Sequence, residues 1–163
     1  MPPTRQNAAM ERNAAGAVYG TITVGALLGA ERAAHETYLE TVAAVLAAIV
    51  LYGLAHAYAT YTARRLRERR KLTLPGLLAA AEHELPLLGG AAIPLLMLIL
   101  FGLGGAALGT AIAAATWTAA VVVFAIELIA GLRARLKGGE LIAHVALGAG
   151  LGCLVIAVRI LLH

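Results

Sequence analysis

The chain has 163 residues, of which 61% are hydrophobic and 13% charged, and its mean hydropathy is +0.84. Water-soluble domains carry about 25% charged residues, and half that share cannot cover a 16.7 kDa body, so the composition excludes a domain dissolved in water and makes lipid the solvent. The net charge of +4 is no sign of nucleic acid: Arg5 and Arg12, the group Arg64, Arg65, Arg67, Arg69, Arg70 and Lys71, and the group Arg133, Arg135 and Lys137 all flank apolar runs, leaving Arg32 and Arg159 elsewhere.

The first apolar run, Ala15 to Ala30, follows a tail, 1–14. A basic tail and a short apolar run are also features of signal peptides, but Glu31-Arg32-Ala33-Ala34-His35-Glu36 stands where a small-x-small cleavage site belongs, so the run is read as a span. Further runs cover Thr37 to Thr62, Leu74 to Leu103, Ala106 to Leu132 and Leu141 to Leu162. Each nears or exceeds the roughly 20 residues of a membrane helix, the first by borrowing from its flanks. The expected fold is all-α: a polytopic bundle of five transmembrane helices forming one domain over 15–163. With the amino terminus inside, the three basic segments, including the 63–73 connection, fall on the cytoplasmic side of a plasma membrane and His163 falls outside.

Glycines four residues apart (Gly16 and Gly20, Gly25 and Gly29, Gly105 and Gly109, Gly148 and Gly152) let apolar helices approach closely, within the chain or between copies. Span one, with glycines along its whole length, is the expected contact of a homo-oligomer. Pro86 and Pro94 sit inside the third run and are expected to kink it, while Thr73 before Leu74-Pro75 reads as a helix start.

Depth along the spans brings out the candidate site. His56 lies near the inner end of span two, Glu82, His83 and Glu84 in span three, Glu127 near the end of span four and His144 near the start of span five. At about 1.5 Å per residue these fall very roughly 5 to 15 Å deep on the cytoplasmic half. Charged groups are costly there and usually face a bundle interior, where they pair. Tyr52, His56 and Thr60 form an i, i+4, i+8 stripe on span two, and Tyr19 and Thr23 a similar one on span one, so these four other residues are expected to line a pathway. Imidazole with carboxylate suits a divalent ion such as Zn²⁺, Mn²⁺ or Fe²⁺. It equally suits a proton relay, since imidazole titrates near neutrality and a desolvated carboxyl shifts towards it. On the outer side Glu31, His35, Glu36 and Glu40 read as an acidic vestibule, with Arg159 nearby on span five.

The absent chemistries narrow the field. Serine and Asp are missing, Lys71 and Lys137 are the only lysines, Cys153 is the only cysteine, and no H-E-x-x-H, G-x-S-x-G or phosphate-loop motif occurs. The expected role is therefore transport of a cation, a divalent metal or a proton, rather than catalysis. Two other classes stay open: a haem-binding electron-transfer protein, with two of His56, His83 and His144 as axial ligands, and a membrane scaffold or assembly subunit.

The strings Val18-Tyr19-Gly20-Thr21-Ile22, Leu54-Ala55-His56-Ala57-Tyr58-Ala59 and His83-Glu84 resemble a set of small multi-span membrane proteins from actinobacteria, a likeness that brings no activity with it. The topology alone, five spans with a charged connection between the second and third, is similar to the vacuolar iron transporter family. That family uses acidic and Met residues in span one and a carboxylate-rich cytoplasmic helical domain. Here the core of span one has neither acid nor Met, and the connection is basic and short.

Overall fold

The computed structural model describes residues 5–30, 37–69 and 71–162. They form six helices: α1 (Arg5–Ala30), α2 (Tyr38–Glu68), α3 (Leu74–Glu82), α4 (Leu85–Leu103), α5 (Leu108–Arg133) and α6 (Gly139–Leu162), with no strand among the described residues. All but α3 are long and apolar enough to cross a membrane, the make-up of a multi-pass membrane protein.

The third apolar run is not one kinked span but two helices. Pro86 has no N–H to give to the carbonyl four residues earlier and its ring crowds that carbonyl, so the helix stops at Glu82, turns through His83 and Glu84, and restarts with Pro86 in its first turn. The 19 residues of α4 extend about 28 Å, close to the thickness of the hydrocarbon layer. The nine residues of α3 are surplus to that thickness and bury no side chain, and Leu74 and Leu78 stay exposed. Glu82, His83 and Glu84 accordingly lie at the entry of the span rather than deep within it.

Helix α1 is central, packed against α4, α5 and α6, whereas α2 leans on α3 and α4 and only lightly on α1. Gly16 faces Pro86, Gly25 faces Val155 and Gly29 faces Arg159, so α1, α4 and α6 run in one direction and α2 and α5 return. The starts of the first set and the ends of the second share one end of the bundle. That basic end holds Arg64, Arg65, Arg67, Arg69, Lys71, Arg133, Arg135 and Lys137, while Arg159 lies towards the opposite end.

The glycines of α1 are occupied within the chain, against α4, α5 and α6. A methyl group on Gly20 would run into the Leu87 carbonyl oxygen and one on Gly90 into that of Ala17, so the backbones of α1 and α4 touch. Gly25 meets Val155 and Ala119, and Gly152 meets Ala120. Gly105, expected to pair with Gly109 on a helix face, instead ends α4 with φ +77°, in a turn where Ala106 N–H reaches the Phe101 carbonyl at 3.0 Å and Gly105 N–H that of Gly102 at 3.1 Å.

Pro94 lies inside α4 without ending it. It cannot satisfy the Gly90 carbonyl, and the hydroxyl of Thr21, fully buried on α1, sits 2.8 Å from that oxygen and 2.8 Å from the Ala17 carbonyl, with one proton to offer to either. Val24, Leu28, Val45, Ile49, Leu95, Leu98 and Ile112 complete an apolar core between α1, α2, α4 and α5 towards the end opposite the basic one.

Candidate functional site

Helix α2 is held at both ends. Near its start the Tyr38 hydroxyl donates to the Ala106 carbonyl at 2.7 Å. Near its end the Tyr61 hydroxyl accepts from Thr73 N–H at 2.9 Å and lies 3.2 Å from both the carbonyl and the hydroxyl of Thr73. Thr73 is the cap of α3, as its sequence context suggests, yet its side chain makes no capping bond because Tyr61 engages it. Thr73 thus meets α2 at Tyr61 and Glu84 meets it at His56, five residues or about 7.5 Å along α2, while eleven residues separate them on their own segment, so α3 crosses α2 obliquely.

Between these fixed ends lies a file of polar side chains. The Tyr52 hydroxyl donates to the Tyr19 hydroxyl at 2.7 Å, with the rings stacked at 5.4 Å. Tyr52 stacks in turn on His56, one helical turn on, at 6.2 Å. His56 Nε2 is 3.8 Å from Glu84 Oε1, too long for a direct hydrogen bond and close enough for one water to bridge. Ala15, Gly16, Tyr19, Tyr52, His56, Glu84 and Leu87 line an open groove of about 260 Å³, with the His56 side chain 52% exposed and that of Glu84 19%. Gly16 keeps the groove open where it passes α1, since a side chain there would press on Pro86.

A second pair lies on other helices. His144 Nε2 of α6 approaches Glu127 Oε2 of α5 to 2.9 Å, but out of line, so the buried Nε2 has no hydrogen-bond partner. Gly148 makes room for this pair, because a methyl group there would collide with Glu127 Cγ, and Gly131 leaves space beside the His144 ring.

The six expected ligands therefore do not converge. They divide into His56 with Glu84 and His144 with Glu127, His83 lines a second cavity that shares Glu84 with the groove, and Glu82 is exposed. No group of three or more His, Cys, Asp or Glu side chains able to hold a metal occurs among the described residues. His56 and His144 each face a glutamate rather than another imidazole. Of the expected pathway residues, Tyr19 and Tyr52 join the file, Thr60 lines the cavity of His83, and Thr23 bonds back to the Tyr19 carbonyl of its own helix at 2.8 Å.

Of the residues expected at an outer vestibule, Glu40 and Arg159 are described. Glu40 belongs to a capping box: its carboxylate accepts from Thr37 N–H at 2.8 Å and from the Thr37 hydroxyl at 2.9 Å, and the box fixes the first turn of α2. Arg159 donates to the Gly109 carbonyl at 3.2 Å and ties α6 to the start of α5. Glu31, His35 and Glu36 lie outside the described residues, as does His163.

Compared with known proteins, the chain matches no protein-family model, no curated protein and no solved structure.

Proposed function

We propose that the chain is a proton pathway of the plasma membrane, seated with its amino terminus and the basic 63–73 connection in the cytoplasm. The observation that carries this reading is the file Tyr19, Tyr52, His56 and Glu84, four proton-bearing side chains in sequence along a groove at the basic end. Glu84 takes a proton at the entry of α4, the His56 imidazole receives it at Nε2 through a bridging water, and waters of the groove carry it to the paired tyrosine hydroxyls. Beyond Tyr19 the apolar packing of Val24, Leu28, Val45, Ile49 and Leu98 excludes water. The described state is thus open towards the basic end and closed towards the other, and transfer across requires α2, the most loosely held helix, to move against α1 and α4.

Two-donor pairs favour a proton over a divalent metal, which needs more ligands than either pair offers. A second copy completes the path in this reading. The glycines of α1 are spent inside the chain, so the copy covers the groove side of α2. Proteoliposomes holding a pH dye, or dyes for Zn²⁺, Mn²⁺ and Fe²⁺, test the choice of ion. Proton uptake under a potassium diffusion potential without metal uptake is the expected result, and metal uptake without proton movement overturns it.

A further inference from the structure

A cavity of about 440 Å³ lies where α3 crosses the end of α2, and the proton file makes no use of most of it. Arg64, Arg65 and Lys71 supply three positive charges to its lining and His83 an imidazole, against Glu68 and Glu84. Glu84 is directed towards His56, which leaves the α2 side of the cavity basic. Arg65 is half-buried, and its Nε is enclosed without a hydrogen-bond partner, an arrangement a guanidinium tolerates poorly unless an acceptor comes to it. Thr60, Tyr61 and Thr73 add hydroxyl-bearing side chains to the same lining, and the first turn of α3 at Gly76 faces the same space. Gly76, Ala79 and Ala80 line the cavity from one face of α3, and the exposed Leu74 and Leu78 stand on the opposite face of that helix.

We propose that this cavity binds a phosphate group at the membrane boundary, with Arg65 as its anchor and Arg64 and Lys71 as supporting charges. A guanidinium offers a fork of donors to a phosphate oxygen pair, and hydroxyl donors complete the remaining oxygens. The volume falls within the range of small-ligand sites and accommodates one headgroup. The position at the basic end of the bundle suits the headgroup of an anionic lipid, and the same chemistry accepts phosphate from solution. The proposal stands independently of proton movement.

Thermal stability and native mass spectrometry of the full chain in detergent test it, with dihexanoyl phosphatidylglycerol, dihexanoyl phosphatidylcholine and inorganic phosphate as probes. The wild type is expected to bind the glycerol lipid about tenfold more tightly than the choline lipid. Arg65→Gln should abolish that preference, Arg65→Lys should restore part of it, and Lys137→Gln, an equal charge change away from the cavity, should leave it intact. Helical circular dichroism of each variant establishes that it is folded. Stabilisation by inorganic phosphate with the same dependence on Arg65 assigns the ligand to solution and supports the site. Equal binding of both lipids with no effect of inorganic phosphate, or equal losses in Arg65→Gln and Lys137→Gln, overturns the proposal.

Discussion

The hydroxyl of Thr21 stands 2.8 Å from the Gly90 carbonyl, the oxygen that Pro94 leaves without a helical partner. This bond joins α1 to α4 at the level where their backbones touch. Thr21→Val keeps the shape and removes the donor, leaving a buried carbonyl unsatisfied. The expected loss is about 1 to 2 kcal/mol in detergent, towards the lower end because bonds between membrane helices average near 0.6. Thr21→Ser should stay close to wild type. Thermal unfolding followed by Trp117 fluorescence measures both, and a valine variant as stable as wild type would show that the carbonyl is satisfied in another way.

Packing of α1 against α4 makes a sharper demand on glycine. Gly20→Ala and Gly90→Ala place a methyl group against a backbone oxygen, which cannot move aside as a flexible side chain can, and each should cost about 2 kcal/mol or more. Gly89→Ala and Gly150→Ala meet nothing and should be neutral. Equal melting temperatures for all four variants would contradict the described contact.

Much of this architecture is legible in the sequence, and what is not has physical causes. Hydropathy marks the five apolar helices because burial in lipid acts on whole segments. The break at Pro86 is visible in hindsight from length alone, since a run from Leu74 to Leu103 is longer than the membrane is thick. Thr37-x-x-Glu40 spells a capping box, a local signal that a reading of Glu40 as part of an acidic mouth passes over. The pairing of His56 with Glu84 and of His144 with Glu127 is of another kind. Depth places all four in one half of the bundle, but which helices face each other depends on rotation about their axes, and contacts such as Gly20 with Leu87 and Gly148 with Glu127 decide that in three dimensions.

Orientation has its own check. On a Cys153→Ala background, cysteines at Arg69 and at Gly104, in the turn after α4, lie at opposite ends of the bundle. A membrane-impermeant maleimide applied to intact cells should label Gly104→Cys and reach Arg69→Cys only after permeabilisation. Labelling of both from outside would contradict the proposed orientation.

Separate pairs should also behave separately. In a double-mutant cycle on unfolding, Glu127→Gln and His144→Gln should couple by about 0.5 kcal/mol or more, while Glu127→Gln and His56→Gln should add within about 0.5 kcal/mol. Strong coupling between Glu127 and His56 would mean that the two pairs form one site.

Whether the file from Glu84 to Tyr19 carries protons is decided by proton flux into proteoliposomes, driven by a potassium diffusion potential and compared across wild type, Tyr52→Phe, His56→Gln and the exposed-site control Glu82→Gln. Flux above that of empty vesicles is expected for wild type and Glu82→Gln. His56→Gln should fall by about tenfold or more, because the imidazole must carry the proton between Glu84 and the tyrosines, and Tyr52→Phe should fall by a smaller factor. Flux in His56→Gln equal to that of wild type would mean that protons do not pass through His56.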